Sequence, residues 1–329
     1  MRRPSFPSPE AYARTFTDPD YWLPYVNEIC ARHGLTSSGP FRAGLPGTNP
    51  VFVVGERYAV KLFTHLFDGA ESLTAELGLY QLLARAEGFP APVLVAHGRL
   101  FEEGGEWHWP YIVTSLVPGT SLGEVEAQVA YEDKVALAQW LGATIRQLHE
   151  LPVTEIPHLS RSRNDFHHFI ARQREHCAGN QRRWRAMPEH LIDQIESYIP
   201  PIEQLVGPSS GWSLLHCDLN ADHVLGEFEQ GRWVPRGIID FGDLRRGERL
   251  HELGALHLGL FRCDKRLLRH FLESYGFDAK LREDFPRRAM SFTLLHEFSL
   301  LESFFRHSPQ AASAQSLEEV ATLLWEPAL

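Results

Sequence analysis

The chain has 329 residues, 43% of them apolar, and sets 32 lysines and arginines against 42 aspartates and glutamates for a formal net charge of −10. That balance argues against a nucleic-acid binder and permits a cationic small-molecule partner, while the apolar share can build two domains or one domain in two lobes. Cys30, Cys177, Cys217 and Cys263 stand far apart without a CxxC pair, which excludes a disulfide framework and points to a reducing, cytoplasmic setting.

Residues 1–20 carry Pro4, Pro7, Pro9 and Pro19 with little periodicity and no apolar core of a signal peptide, so they form either an ordered arm or a loose tail. No segment approaches the length of a membrane span. Tyr21 to Leu35 reads as a short helix with Pro24 in its first turn and Gly34 closing it. After the Gly- and Pro-rich stretch Ser38–Thr48, the runs Pro50–Val54 and Tyr58–Phe63 flank Gly55–Arg57 as a hairpin. The second run holds Lys61, which on a strand points away from the face of Val60 and Leu62. A lone strand lysine can equally face solvent. The next segment, Glu71 to Glu87, is an amphipathic helix with Leu73, Leu77, Tyr80 and Ala84 in its stripe and Glu76 beside it. A strand lysine paired with a glutamate of the following helix is how kinases hold the α- and β-phosphates of ATP.

Val93–Ala96 and Tyr111–Val117 are two further strands joined by a polar loop, Glu102–Trp109. In a kinase-like body the end of this sheet is the hinge, and position assigns the backbone around Ser115 to Val117 to the nucleotide base. Glu132 to Glu150 is a long helix with Ala138, Leu141, Ile145 and Leu148 on one face; His149 at its end is given no role. His167-His168 and Arg172–Arg174 read as a solvated face. Leu250–Phe277, Phe285–Phe305 and Leu317–Trp325 are helical in period. The expected fold is therefore α+β and protein-kinase-like in two lobes: a small antiparallel-sheet lobe over 1–117 and a mostly helical lobe over 118–329.

Between these helices lies the stretch that carries the chemistry. The runs Trp212–Leu215 and Gly237–Ile239 end on HCDL and DFG. Phosphoryl transfer needs the phosphate, metal and acceptor hydroxyl held in line and the charge neutralised. Asp218 is suited to accept the hydroxyl proton, Asp240 to bridge phosphates through magnesium, and His216 to brace the loop. Each motif alone is weak; their order after a strand lysine and a helix glutamate is not. GxxxxGK[ST], GxGxxG and HExxH are absent. GPSSG at Gly207–Gly211 follows a Pro-stopped helix and precedes a strand, the wrong context for Ser209 as a hydrolase nucleophile.

These residues resemble the aminoglycoside phosphotransferase family, kinase relatives whose loop usually runs HGDLxxxN and whose metal motif is IDxxD or IDFxD. The likeness runs through TNPVFV, AVKLF, ESLTAE, WHWPYIV, GIIDFGD, SFTLLHEF and LEEVATLLWEP, nearly the whole chain. It implies an ATP- or GTP-dependent O-phosphotransferase acting on an aminoglycoside hydroxyl, hygromycin B first, as an antibiotic-resistance enzyme, monomeric or dimeric, with Mg2+ as cofactor. It implies Asp218 as catalytic aspartate, Asp240 as metal aspartate, Lys61 with Glu76 as the phosphate-binding pair, and Thr48 and Asn49 covering the phosphates through backbone amides. The family's metal-binding asparagine is replaced by His223. Imidazole suits manganese better than magnesium, so His223 binds metal, or Asn220 or Asp222 substitutes, or one metal site is weakened. Cys217, where the family has glycine, reads as a small buried hydrophobe. A cationic acceptor calls for carboxylates, and Asp243, Glu248, Glu252, Glu297 and Glu302 are available, with Asp243 and Glu297 preferred. The alternatives are a kinase of a sugar or amino alcohol, and a nucleotide-binding pseudoenzyme.

Overall fold

The computed structural model describes residues 1–36, 39–85, 88–102, 104, 107–152, 156, 159–277 and 284–326. The chain divides into two compact units. The first comprises Met1–Pro118, a short segment around Ile156, and Gly237–Gly242; the second comprises the remainder. The segments around Ile156 and Asp240 thus group with the first unit although they follow residue 118 in the chain.

In the first unit, helices α1 (Pro9–Ala13) and α2 (Pro19–Arg32) precede strands β1 (Phe41–Ala43), β2 (Val51–Val54) and β3 (Tyr58–Leu62), helix α3 (Gly69–Leu83), and strands β4 (Leu94–Arg99) and β5 (Pro110–Ser115). The strands form one antiparallel sheet in the order β1-β2-β3-β5-β4, with Lys61 opposite Val51 on one side and Ile112 on the other. Strand alternation sends Val60 and Leu62 into a core with Phe52, Val54, Tyr111 and Val113, which Trp22, Tyr25, Val26 and Ile29 of α2 complete. Lys61 therefore leaves on the opposite face.

Residues 1–17 are an ordered arm. Trp109 Nε1 donates to the Pro4 carbonyl at 2.9 Å and Tyr25 Oη to the Arg2 carbonyl at 2.8 Å. Helix α2 begins earlier than its period suggests, because Asp18 caps it by accepting from Asp20 N and Tyr21 N. Pro19 takes the first-turn place and Pro24 falls inside the helix, where its missing N–H removes the bond to Asp20. The loop expected to be polar contributes Trp109, fully buried.

The buried face of α3 is Ser72, Ala75, Glu76, Leu79 and Tyr80, so Glu76 sits at its centre while Leu73 and Leu77 are half-buried. The helix's expected end at Glu87 lies outside the described residues.

In the second unit, β6 (Thr120–Ser121) pairs with β8 (Val224–Glu229), which is flanked by β9 (Arg232–Ile238), and β7 (Ser213–Leu215) pairs antiparallel with β10 (Arg245–Gly247). Around these lie helices α4 (Tyr131–Glu150), α5 (Phe166–Trp184), α6 (Lys265–Tyr275), α7 (Phe285–Leu294), α8 (Leu301–His307) and α9 (Leu317–Trp325). Helices α4 and α6 meet closely at Gly142, where a Cβ would stand 2.5 Å from the Phe271 carbonyl oxygen. The stretch Leu250–Phe277 is not one helix. A 3-10 turn at Arg249–Glu252 and a π-helical segment at Ala255–Leu260 precede α6, with Arg262 and Cys263 in left-handed conformation before the Asp264 cap. No described helix is long and apolar enough to cross a membrane.

Candidate active site

The first unit gathers Lys61, Glu76 and Asp240. Lys61 Nζ lies 3.0 Å from Glu76 Oε2 and 2.9 Å from Asp240 Oδ1. Lys61 is 9% and Glu76 1% exposed, whereas the Asp240 side chain is 41% exposed. Asp240 is delivered by packing around it. Ile238 N donates to the Pro90 carbonyl, Phe241 is buried against Tyr80 and Phe89, and Gly242 N reaches Asp240 Oδ1 at 3.4 Å. Asp240 has φ 63°, a left-handed conformation that Asp tolerates better than most residues.

Burial works against the Lys61 charge, but the Asp240 and then the Glu76 carboxylates outweigh it and hold the ammonium above its ordinary value. One cation serves two anions, and Glu76 is the more deeply buried. Its desolvation exceeds what Lys61 returns, and its carboxyl is pushed up to about 7. A carboxyl raised in the folded state contributes stability that is present below its ordinary value of 4.5 and lost as pH rises through about 7. The stability difference between wild type and Glu76→Gln should therefore move against wild type over that window, by up to about 3 kcal/mol, in urea titrations at pH 4.5, 6 and 7.5. A pH-independent difference would contradict the assignment.

Thr48 and Asn49 lie in the turn before β2. Asn49 is buried and its Oδ1 accepts from Thr64 N at 3.1 Å; the Thr48 carbonyl accepts from Tyr12 Oη at 2.6 Å. At the end of β5, Ser115 N donates to the Val93 carbonyl and Leu116 N to the Arg57 carbonyl, both at 2.8 Å. Val117 is buried, and a Cβ at Gly237 would stand 3.0 Å from its Cγ1.

The second unit holds the loop His216–His223. Asp218, at the end of β7, is half-buried; its Oδ1 accepts from Asn220 Nδ2 at 3.2 Å, and its own N–H donates to His216 Nδ1 at 3.3 Å. His223 Nδ1 is 2.6 Å from the Asp218 carbonyl oxygen and 3.7 Å from its Oδ2. Asn220 Oδ1 accepts from Asp222 N.

Beneath this loop, Glu252 is fully buried. It accepts from His216 N at 2.7 Å and Cys217 N at 3.2 Å. His149 Nε2 lies 3.6 Å from the same carboxylate, and His149 Nδ1 is 2.7 Å from Tyr275 Oη. Burial opposes the Glu252 charge, but His149, His216 and the His216 N–H outweigh it and hold the carboxyl below its ordinary value. Cys217 is buried with φ 70°, the left-handed region that favours glycine.

This bracket is not legible in the sequence, where His149 stands alone at a helix end and Glu252 is one of several carboxylates suited to a cationic acceptor. A charged residue between Leu250 and Leu253, together with a bulky residue at a glycine position, was the available signal.

The other acceptor candidates have partners too. Asp243 Oδ1 is 3.4 Å from Arg163 Nη2. Glu297 receives both 2.7 and 2.8 Å contacts from Arg245 Nη2, whose guanidinium lies 3.7 Å over the Phe169 ring. Burial opposes the Glu297 charge, but Arg245, His296 and Arg163 hold its carboxyl below the ordinary value. Glu248 accepts from Gly207 N, and Glu302 pairs with Arg306. Ser209 opens one 3-10 turn ahead of β7, with no nucleophile elbow. Among the described residues, no three His, Cys, Asp or Glu side chains are gathered to hold a metal ion. Asp240 in the first unit carries half-exposed carboxylate oxygens of the kind a hard cation takes.

Residues 43–290 match the family model described as the phosphotransferase enzyme family. The structure of the GDP complex of wild-type aminoglycoside 2'-phosphotransferase-IIIa aligns with TM-score 0.66 at 22% identity, over 92% of this chain and 96% of that one. The ternary complex of an aminoglycoside phosphotransferase APH(4)-Ia mutant with ADP and hygromycin B aligns with TM-score 0.52 at 14% identity, over 91% and 97%. Both likenesses are of fold, and the fold is the kinase-like one. A curated relative, lysine-specific demethylase JMJ21 of Arabidopsis thaliana, is 23% identical; the match covers 92% of this chain and 45% of that protein, so the chain spans about half its length.

Proposed function

We propose that this chain, which belongs to the phosphotransferase enzyme family, transfers the γ-phosphoryl group of ATP or GTP to a hydroxyl of an aminoglycoside, hygromycin B foremost. The observation that carries the reading is the buried lysine held between Glu76 and Asp240, a cation set where nucleotide phosphates would need one. In this reading Lys61 binds the α- and β-phosphates and Glu76 orients it. Thr48 and Asn49 cover the phosphates through their backbone, and the backbone at Val117 meets the base. Asp218 accepts the proton of the acceptor hydroxyl as the new P–O bond forms and the bond from the γ-phosphorus to the β,γ-bridging oxygen breaks, releasing the nucleoside diphosphate. Asp240 would hold Mg2+ or Mn2+, which neutralises phosphate charge when bound, and in the second unit His223, Asn220 or Asp222 is the candidate for a metal ligand.

The contact of His223 Nδ1 with a backbone carbonyl is the arrangement that fixes the ring of a ligating histidine and presents its other nitrogen. We therefore expect His223→Asn to shift metal preference from Mn2+ toward Mg2+ by roughly 10-fold or more. The readouts are calorimetric Mn2+ affinity in the presence of nucleotide and the activity ratio with the two metals. An unchanged ratio assigns the ligand to Asn220 or Asp222.

One observation favours a second reading, a kinase of a sugar or amino alcohol. Asp243 and Glu297, the carboxylates best suited to ammonium groups, already face Arg163 and Arg245, which lowers the negative charge available to a polycation. A phosphate-transfer screen across hygromycin B, other aminoglycosides, sugars and amino alcohols decides between them. Transfer to none of them, with nucleotide still bound, would leave a nucleotide-binding protein without turnover.

A further inference from the structure

In the first unit a side-chain hydroxyl of the arm reaches the loop that precedes β2. Tyr12 is 2% exposed, and its ring is set by Phe6, Phe16 and Phe67 at centroid distances of 5.2, 5.6 and 6.2 Å. Its Oη donates to the Thr48 carbonyl at 2.6 Å. Burial pushes the hydroxyl's pKa up, and a hydrogen bond with the Thr64 side chain works the other way.

Thr64 is itself a junction. Its N–H donates to Asn49 Oδ1, its Oγ1 accepts from Leu66 N, and a Cβ on Gly69 would come within 1.9 Å of its carbonyl oxygen. Gly69 opens α3, the helix that carries Glu76. One phenol thus ties together the arm, the loop through Thr48 and Asn49, and the segment that seats the glutamate partner of Lys61. The loop needs such a tie, because Gly44 and Gly47 give its backbone more freedom to lose than other residues would.

We propose that the arm is a positioning element for nucleotide binding and that Tyr12 is the positioning residue through which it holds the phosphate-covering loop. This rests on the reading of Thr48 and Asn49 as phosphate-contacting residues. By linkage, whatever grips the loop must also tighten the arm, and the reverse. The arm has further anchors of its own, at Pro4, Arg2 and Thr15, which accept from Trp109, Tyr25 and Trp22. Removing one hydroxyl should therefore loosen the loop without releasing the arm.

The test compares Tyr12→Phe with Tyr25→Phe in the full chain. Both delete an arm hydroxyl bond, and only the first touches the loop. Calorimetry with the β,γ-imido analogues of ATP and GTP in the presence of Mg2+ should show Kd raised roughly 5- to 10-fold for Tyr12→Phe, the size expected of one buried hydrogen bond, and unchanged for Tyr25→Phe. In turnover, nucleotide KM should rise by the same factor while kcat stays within about twofold. Equal effects in the two variants, or none in either, would overturn the proposal and leave the arm a structural cover. Wild-type hydrogen exchange gives an independent readout that needs no variant. Nucleotide should slow exchange at Tyr12, Thr15 and Phe16 along with the loop, and protection of the loop without the arm would also overturn it. Failure of the wild-type protein to bind either analogue would instead remove the nucleotide reading itself.

Discussion

Asp218→Asn should lower kcat by roughly 10²–10⁴-fold while leaving nucleotide affinity and folding close to wild type. The amide is nearly isosteric and keeps an oxygen that can accept from Asn220 Nδ2, as Asp218 Oδ1 does at 3.2 Å. Glu252 holds the start of the loop through the N–H groups of His216 and Cys217, which the substitution leaves in place. What the substitution removes is the proton acceptor. Nucleotide affinity should hold, because the lysine and its two carboxylates belong to the other unit. Lys61→Met should do the opposite: it strips the counter-charge from Glu76 and Asp240 and weakens nucleotide binding first. Initial rates at saturating nucleotide, with calorimetric Kd values, separate the two. Full turnover by Asp218→Asn would mean that the proton leaves by another route and that HCDL is only a structural turn.

The features that point to this chemistry were legible because they are local. Alternation around Gly55–Arg57 placed Lys61 on a strand with its side chain opposite Val60 and Leu62, and the sheet holds it so. Features that depend on distant partners were not legible. Helix α3 carries leucines on several sides, so its apolar stripe did not reveal that Ser72, Ala75, Glu76 and Leu79 form the buried face. The choice between an ordered arm and a loose tail stayed open because the arm's order comes from carbonyls that accept from Trp109, Tyr25 and Trp22. Leu250–Phe277 kept a helical period although its backbone passes through a π-helical segment and a left-handed pair at Arg262 and Cys263, with neither glycine nor proline at that pair. Asp243 and Glu297 read as free carboxylates because Arg163 and Arg245 are remote in sequence from one or both of them.

The bracket around Glu252 gives the largest expected effect on stability. Glu252→Ala would leave the His216 and Cys217 N–H groups buried without their acceptor and open a cavity beside His149. Each of the two orphaned donors costs about 1–3 kcal/mol, and burial holds the His149 imidazole below its ordinary value so that it adds no ion pair, so the second unit should lose roughly 2–6 kcal/mol. Against a typical stability of roughly 5–15 kcal/mol, that decides whether the unit stays folded at physiological temperature. Glu252→Gln is the finer probe, since its amide keeps one carbonyl acceptor but turns an NH2 toward a backbone donor. The Glu252 carboxyl is held below its ordinary value, so its contribution is present above 4.5 and lost as pH falls through the lowered folded value. Wild type should therefore lose its advantage over the Gln variant in acid, the reverse of the sign expected at Glu76. The backbone supplies a second handle. Cys217 holds φ 70°, a conformation that costs a side-chain residue about 1–2 kcal/mol and glycine almost nothing. In wild type the buried thiol's packing offsets that gain, so Cys217→Gly should be nearly neutral. In the Glu252→Gln background, where the turn has lost half its bracket, the same change should recover about 1 kcal/mol in urea titrations and part of the lost kcat. Simple additivity of the two substitutions would show that the carboxylate does not hold the turn, and that His216 and Cys217 owe their conformation to β7 alone.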